Sequence, residues 1–176
     1  MKESLFIRVK SDRSLFLRSV EDRDREQLRV WKNQNRKAFF FQETITEVMQ
    51  EEWFKSYLTD SDNFLFMVEK NRTPIGCVGF KLSREGADIY NCILGDERLK
   101  RHGIMSQALQ MTCAFISTRS IKRIFLKVLK TNVAAQRWYL KNQFKKVSDH
   151  KQYDLLELAP NAFSGMKLEI QTGEVV

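Results

Sequence analysis

A basic turn ahead of an apolar helical segment is the part of this sequence best suited to bind a phosphate group. The turn covers residues 99–106 and reads Leu-Lys-Arg-His-Gly-Ile-Met-Ser. Where a helix begins, the first backbone N–H groups have no partner inside the helix, and the helix dipole places partial positive charge there. Lys100, Arg101 and His102 add basic side chains beside those groups. We therefore predict an anion-binding site formed by the backbone around Gly103.

Basic charge is concentrated around this turn. The chain carries a net charge of +8, and residues 98–151 hold 13 Lys or Arg against a single acid, Asp149. The remaining residues hold 17 basic and 21 acidic side chains, so they are net negative. A basic surface attracts nucleic acid, an anionic membrane or a polyanionic small molecule. Charge alone does not separate these three partners.

The pattern of apolar residues disfavours the first two partners. Phe115, Phe125 and Phe144 fall at positions expected to be core, so the basic half shows no platform for stacking nucleic-acid bases. No apolar stretch approaches the roughly 18 residues of a membrane span, and the segment 1–12 lacks the apolar centre of a signal peptide. We therefore expect a cytoplasmic protein that binds a small anionic molecule.

Length and composition indicate one folded domain. The 176 residues are 43% apolar and include only seven glycines and two prolines, which leaves no segment typical of a flexible linker. We predict a single domain over residues 1–176, with a core over about 14–158 and a C-terminal extension over 160–176. The three cysteines are unpatterned and have apolar neighbours. They indicate buried thiols in a reducing compartment, and neither disulfides nor a metal site.

Hydrophobic periodicity predicts the elements that position the turn. Alternation from Ser14 to Ser19 predicts a strand, which passes into a helix ending at about Asn33. A second helix is predicted to begin near Thr44, where the sequence Thr-Ile-Thr-Glu resembles a capping box. Three β-rich segments separated by turn sequences predict an antiparallel meander over residues 63–69, 75–82 and 87–94.

The second half of the chain alternates helices and strands. Apolar residues recur at helical spacing after Gly103, and a strand is predicted over residues 121–129. The order strand, helix, strand around the basic turn predicts an α/β fold. Shorter elements complete it, namely a helix over about 133–141 and strands over about 144–148, 153–158 and 166–170.

This order of elements and motifs resembles the GNAT superfamily of N-acetyltransferases. The resemblance rests on the turn Lys100-Arg-His-Gly-Ile-Met105 between a strand and a helix, and on the later sequence Asn132-x-x-Ala-x-x-x-Tyr139. It spans roughly residues 15–158. It implies an α/β fold with a mixed, largely antiparallel central sheet flanked by helices. Two neighbouring strands of that sheet would splay apart and form a cleft for acetyl-CoA.

The resemblance also implies which residues bind acetyl-CoA as co-substrate. The backbone of the turn would hold the pyrophosphate, and one strand end would pair with the pantetheine arm. These predicted cofactor-binding residues are Ile93, Leu94, Gly95, Lys100, Arg101, His102, Gly103, Ile104, Met105, Ser106 and Asn132.

Two positions depart from the family pattern. Met105 stands where Gly or Ala is usual, and it is tolerable if only its N–H group meets the cofactor. Gln143 stands where Gly is usual, so that turn either changes its geometry or holds Gln143 at positive φ with some strain.

Tyr139 receives the catalytic role from the same resemblance. Its family counterpart lies beside the thioester sulfur, and a phenol with a pKa of about 10 is protonated at neutral pH and can donate to a departing thiolate. Without the resemblance, Tyr139 would be interpreted as a core aromatic on an amphipathic helix. Asn132 is suited to cap that helix, which is its favoured interpretation. The chemistry requires no metal.

The acceptor site is predicted from an unusual aromatic run. Phe39, Phe40 and Phe41 follow each other directly, and three consecutive side chains of one regular element cannot all face the core. They either line a pocket or anchor the loop to the sheet. The resemblance places the acceptor near this loop, so Phe40, Phe41 and Glu43 are the predicted substrate-binding residues. Asp88, Glu43 and a water chain are conceivable general bases, and none is assigned.

The resulting hypothesis is an enzyme that transfers the acetyl group of acetyl-CoA directly to a primary amine. The favoured acceptor is a small anionic amine, a nucleotide-linked amino sugar, because the segment from Trp31 to Phe54 looks like its counterpart in such enzymes. A protein or peptide N-terminal amine is the alternative acceptor. A nucleic-acid-binding module and a non-catalytic CoA-binding protein are two further hypotheses. The sequence leaves the oligomeric state open, a homodimer included.

Overall fold

A computed structural model describes residues 2–159 and 161–174 of the chain. Of the expected C-terminal extension, Pro160 and residues 175–176 lie outside the described residues. The strands are β1 (Glu3–Val9), β2 (Asp12–Ser19), β3 (Asn63–Lys70), β4 (Thr73–Ser83), β5 (Gly86–Leu94), β6 (Ile124–Leu129), β7 (Phe144–Asp149), β8 (Tyr153–Leu158) and β9 (Leu168–Glu174). The α-helices are α1 (Arg25–Gln34), α2 (Glu47–Thr59), α3 (Ile104–Thr118) and α4 (Val133–Lys141).

The strands form one mixed sheet in the order β7-β8-β6-β5-β4-β3-β2-β1-β9. The contact between β5 and β6 is parallel, and the other contacts recorded in this sheet are antiparallel. A parallel pair requires a crossover, which α3 provides. The α/β fold with a largely antiparallel central sheet is therefore confirmed, as are the β3-β4-β5 meander and the strand-helix-strand order after it.

Helices cover both faces of the sheet. Strand β3 is buried over six consecutive residues, and its side chains alternate between two clusters. Phe66 packs in the cluster that contains the buried side chains of α3, whereas Met67 packs with Trp31 of α1 and Phe54 of α2. Since successive strand residues point to opposite faces, α3 lies on one face and α1 and α2 lie on the other.

The parallel pair separates soon after it begins. Strands β5 and β6 are paired at Ala87 with Ile124 and at Asp88 with Phe125. Strand β5 continues to Leu94, so within the described residues the edge of β5 that faces β6 has no strand partner beyond Asp88. This divergence is the predicted splay.

A β-bulge helps to turn β5 away from β6. Cys77 of β4 pairs with Ile93 and Gly79 pairs with Tyr90, so two residues of β5, Asn91 and Cys92, lie opposite one residue of β4. Asn91 adopts a φ of 50°. A bulge bends its strand and increases the local twist.

Several elements differ from the sequence predictions. The prediction that α2 begins near Thr44 is wrong, because Thr46 is the N-cap and its hydroxyl accepts the Met49 N–H. Strand β1 was not predicted at all. Strand β6 begins at residue 124 and not at 121, and β9 runs over 168–174, beyond the predicted 166–170, because it pairs along the whole of β1.

Candidate active site

The basic turn forms an open anion cradle at the start of α3. Gly103 is the N-cap of α3, with φ 74° and no side chain to cap the helix. The N–H groups of Ile104, Met105 and Ser106 therefore have no partner within the helix and remain available to a ligand. A Cβ at Gly103 would meet no atom within 4 Å, so glycine is favoured there by its backbone angle and not by lack of space.

A cleft of about 500 Å³ opens in front of this helix start. Three cationic side chains contribute to its wall, Lys100, Arg101 and Lys141. His102 is exposed and does not line the cleft. The other lining residues are Cys92, Leu94, Leu99, Gly103, Ile104, Met105, Ser106 and Trp138. The turn predicted from sequence is thus assembled around one cavity, except for His102.

Met105 fits this position because β4 leaves room for it. A Cβ placed at Gly76 would lie 3.0 Å from the Met105 sulfur, so the thioether packs over the backbone of that glycine. Met105 is half-buried against the core. Its N–H is left to the cleft, as the first turn of a helix requires.

Ser106 joins the cradle to α4 through its hydroxyl oxygen. That oxygen accepts hydrogen bonds from the Trp138 indole at 2.9 Å and from the Asn142 amide at 3.2 Å. Asn142 is buried and its amide oxygen accepts from Gln110 at 3.3 Å. This network fixes the first turn of α3 relative to the helix that carries Tyr139.

The three predicted residues at the end of β5 lie in different environments. Leu94 lines the cleft, whereas Ile93 is buried and faces the side of α1 and α2. Gly95 donates its N–H to the Ile75 carbonyl at 2.7 Å, and a Cβ on it would lie 2.0 Å from the Trp31 ring. Gly95 therefore serves close packing of α1 against the strand end.

Tyr139 and Asn132 line a second cavity of about 290 Å³ between the splayed strands, here called the catalytic cavity. Cys92 lines both this cavity and the cleft, so the two meet at the bulge of β5. The Tyr139 hydroxyl lies beside the Cys92 thiol, and its ring packs edge-on against Phe144 at 5.8 Å. Burial, with a smaller effect of Cys92, raises the pKa of Tyr139 well above 10.

Asn132 caps α4, as predicted. Its side-chain oxygen accepts the Ala135 N–H at 3.2 Å. Gln143, just beyond the other end of α4, has a φ of 68°, so of the two expected alternatives the turn keeps a positive φ at Gln143.

The predicted acceptor residues divide into two groups. Phe40 and Phe41 are about half exposed and line the catalytic cavity, and Phe40 packs edge-on against Tyr153 at 5.6 Å. Glu43 is exposed and lines neither this cavity nor the cleft. Phe39, half-buried, is covered by the Lys32 ammonium at 3.3 Å from the ring centroid. The aromatic run therefore both lines a pocket and anchors the loop.

Three charged side chains of the catalytic cavity were not assigned from the sequence, namely Asp88, Lys32 and Lys127. Asp88 is the last residue of β5 paired with β6, and burial raises the pKa of its carboxyl while Lys127, 3.8 Å away, lowers it. Burial lowers the pKa of Lys32 to about 8. A sequence signal existed for Lys32, because Leu28, Trp31 and Lys32 follow the i, i+3, i+4 spacing of one helix face.

An apolar slot of about 410 Å³ adjoins the catalytic cavity on the side of α1 and α2. Lys32, Phe41, Tyr90 and Asn91 line both spaces. The remaining wall of the slot is Leu28, Ile45, Met49, Gln50, Trp53, Leu65, Cys77 and Ile93.

The three cysteines are free thiols, and Cys77 and Cys113 are buried as expected. Burial raises the pKa of both Cys77 and Cys92 to about 12. Within residues 2–159 and 161–174, no three His, Cys, Asp or Glu side chains are grouped so that they could hold a metal ion. Over the same residues, no helix combines the length and apolar character needed to cross a membrane.

The mixed sheet, its splayed strands and the anion cradle at a helix start define an acetyltransferase-type fold. The sequence profile of the family described as "Acetyltransferase (GNAT) domain" matches residues 14–145. The match covers most of the chain, which therefore belongs to the GNAT acetyltransferase family. No curated protein sequence shows significant similarity to the chain.

Solved structures with the same fold include enzymes with different acceptors. Spermidine N-acetyltransferase from Vibrio cholerae, in complex with CoA and spermine, is 16% identical with a TM-score of 0.71, covering 86% of this chain and 99% of that chain. FdhC, a nucleotide-linked sugar GNAT, is 19% identical with a TM-score of 0.69, and the match covers 85% of this chain and 88% of FdhC. RimL, a ribosomal L7/L12 alpha-N-protein acetyltransferase, is 16% identical with a TM-score of 0.69, and the match covers 86% of this chain and 92% of RimL. At these identities the similarity establishes the fold, and the acceptors belong to those enzymes.

Proposed function

We propose that this protein is an acetyl-CoA-dependent N-acetyltransferase that transfers the acetyl group directly to a primary amine. The observation that carries the proposal is the junction at Cys92, where the cleft of the anion cradle meets the cavity that contains Tyr139. Family membership supports the class of reaction, and this junction supports our choice of where it would occur.

The residues present suit acetyl-CoA. Free N–H groups at Ile104, Met105 and Ser106, with Lys100 and Arg101 beside them, suit a diphosphate. The unpaired edge of β5 offers backbone donors and acceptors to the amide groups of a pantetheine arm, in the manner of an added strand. When bound, acetyl-CoA would supply an activated acetyl group as its thioester.

Tyr139 is the proposed proton donor to the leaving thiolate. Because burial keeps its pKa well above 10, the phenol holds its proton throughout the neutral and mildly alkaline range. Its position beside Cys92, at the junction, supports this role, because a thioester bound in the cleft would extend toward it.

Asp88 is the proposed general base for the acceptor amine. It lines the catalytic cavity with Tyr139, whereas Glu43 is exposed and lines neither that cavity nor the cleft. A carboxylate whose pKa is raised by burial is a better proton acceptor than one in water. Backbone N–H groups on the free edge of β5 would stabilise charge that develops on the acetyl oxygen.

A nucleotide-linked amino sugar is the favoured acceptor. Asp88 is the single carboxylate among the lining residues of the catalytic cavity and the apolar slot, and it is accompanied by Lys32 and Lys127. Such walls repel a polycationic amine and suit an acceptor that carries negative charge. A peptide or protein N-terminal amine remains the alternative. We place the reaction in the cytoplasm, in keeping with three free thiols.

An assay of thiol release from acetyl-CoA tests the proposal. The amines are UDP-glucosamine, a peptide with a free N-terminus and spermidine, and titration calorimetry measures binding of acetyl-CoA and of a DNA oligonucleotide. We expect acetyl-CoA binding and turnover with UDP-glucosamine, and loss of turnover with retained acetyl-CoA binding in Asp88→Asn. Lys55→Met, on the exposed face of α2, serves as the control variant. DNA binding without acetyl-CoA binding, or acetyl-CoA binding without turnover of any of the amines, would contradict the proposal.

A further inference from the structure

Lys32 lies at the boundary between the catalytic cavity and the apolar slot. It follows Trp31 on the buried face of α1 and lines both spaces. Its ammonium group donates a hydrogen bond to the side-chain oxygen of Asn91, in the bulge of β5, and lies 3.3 Å from the centre of the Phe39 ring. A ligand that extends from one space into the other must pass Lys32.

No carboxylate in the described residues forms an ion pair with Lys32. Arg18 shows the contrasting case, because this guanidinium is similarly withdrawn from solvent but pairs with Asp24 at 2.6 Å and with Glu69 at 2.5 Å. A buried charge without a counter-ion is costly to the fold. A cation kept there at a cavity wall is therefore suited to a ligand that supplies the missing negative charge.

The apolar slot behind Lys32 limits what else the ligand carries. Its wall contains Leu28, Met49 and Trp53, and no acidic side chain. An apolar group or a flat ring is retained in such a space by loss of water contact and by packing on Trp53. A second charged group in the slot would have no partner of opposite sign.

We infer that Lys32 is the residue that selects the acceptor, by binding an anionic group that lies between the acceptor amine and an uncharged ring or apolar group held in the slot. The amine then lies in the catalytic cavity beside Asp88. The inference rests on the proposed acetyl transfer and narrows its acceptors to amines that carry a phosphate or carboxylate. A diphosphate of a nucleotide-linked sugar and a carboxylate near a peptide N-terminus present the same chemistry to Lys32.

The test compares acceptors that carry an anionic group with acceptors that lack one, and the peptide pair is matched in all but that charge. UDP-glucosamine is paired with methyl glucosaminide, and the peptide Met-Asp-Phe-amide is paired with Met-Asn-Phe-amide. The variants are Lys32→Met, which keeps the shape of the side chain, Lys32→Arg, which keeps its charge, and Lys37→Met, which removes an exposed lysine just after α1. Binding of both members of each pair is measured by calorimetry in saturating CoA, so that the anion cradle is filled and no turnover is needed.

We expect Lys32→Met to weaken binding and kcat/KM for the anionic member of one pair by about 10- to 100-fold, the range for a hydrogen bond to a charged group. For the neutral member, binding and kcat/KM should change less than about threefold. Lys32→Arg should retain the preference for the anionic acceptor, and Lys37→Met should behave as wild type. The pair that responds identifies the source of the anion. Equal effects on charged and neutral acceptors, or binding of neither anionic probe to the wild type, would overturn the inference. Failure of the inference would not by itself contradict the proposed acetyl transfer. If Lys32→Met still acetylates neutral amines at the wild-type rate, the proposed acetyl transfer stands although Lys32 does not select the acceptor.

Discussion

Replacing Lys32 by Met should stabilise the protein at neutral pH, although it removes a hydrogen bond. The pKa of Lys32 is about 8 in the folded protein, in place of an ordinary value of 10.5. Each pKa unit corresponds to about 1.36 kcal/mol, so burial of the cation lowers the free energy of unfolding by about 3 kcal/mol at pH 7. Loss of the Asn91 hydrogen bond and of the contact with Phe39 offsets about 2 kcal/mol of that gain. The net stabilisation is about 1 kcal/mol.

The pH dependence of this difference has a definite sign. Between about pH 8 and 10.5 the folded protein has released the proton of Lys32, while the unfolded chain still binds it. The contribution of Lys32 to the free energy of unfolding therefore rises with pH across this window. Lys32→Met lacks this rise, so its advantage over wild type should shrink by about 2 kcal/mol between pH 7 and pH 10 and reverse in sign.

Urea denaturation of wild type, Lys32→Met and Lys37→Met at pH 7 and pH 10 measures this difference. Other titrating groups, such as Lys2, occur in all three proteins and cancel when the variants are compared with wild type. Lys37→Met should show no pH-dependent difference. A difference between Lys32→Met and wild type that is the same at both pH values would refute the interpretation of Lys32 as a buried cation without a counter-ion.

Three further substitutions test other parts of the site. Tyr139→Phe should lower kcat by about 100-fold or more with little change in CoA affinity, because it removes the proposed proton donor alone. Steady-state kinetics measures kcat and calorimetry measures CoA affinity. An unchanged kcat would exclude Tyr139 as the proton donor. Ser106→Ala should destabilise the protein by about 1–3 kcal/mol, since Trp138 and Asn142 lose a shared acceptor, as urea titration would show. Gln143→Gly should raise the free energy of unfolding by about 0.5–1 kcal/mol by relieving a positive φ; destabilisation would show that the Gln143 side chain matters there.

Much of the site could be predicted because its parts are local in sequence. The cradle consists of consecutive residues, and its geometry follows from a glycine at a helix start. Asn132 caps a helix three residues before its partner N–H, which is also a local interaction. Periodicity likewise predicted α4 over residues 133–141 with its observed bounds.

The acceptor side was less accessible to sequence reasoning because its residues come together from distant segments. Lys32 on α1 and Asn91 on β5 are 59 positions apart and meet only when α1 packs across the sheet. Glu43 was predicted from its place in a loop, yet its side chain is exposed, while Asp88 reaches the catalytic cavity from the last paired position of β5. Strand β1 was missed although it pairs with the adjacent β2, and its pairing with β9 at the other end of the chain could not be seen locally.

The sequence by itself determined the order of the elements from β2 onward, the basic turn and the helix that carries Tyr139. These features depend on hydrophobic spacing, helix capping and glycine conformation, which act over a few residues. The tertiary structure alone decided where β5 leaves β6, because the bulge at Asn91 is defined only against its pairing with β4. It also decided that Lys32 lies between two cavities and that no carboxylate in the described part of the chain pairs with it, since burial and ion pairing depend on which distant segments pack together.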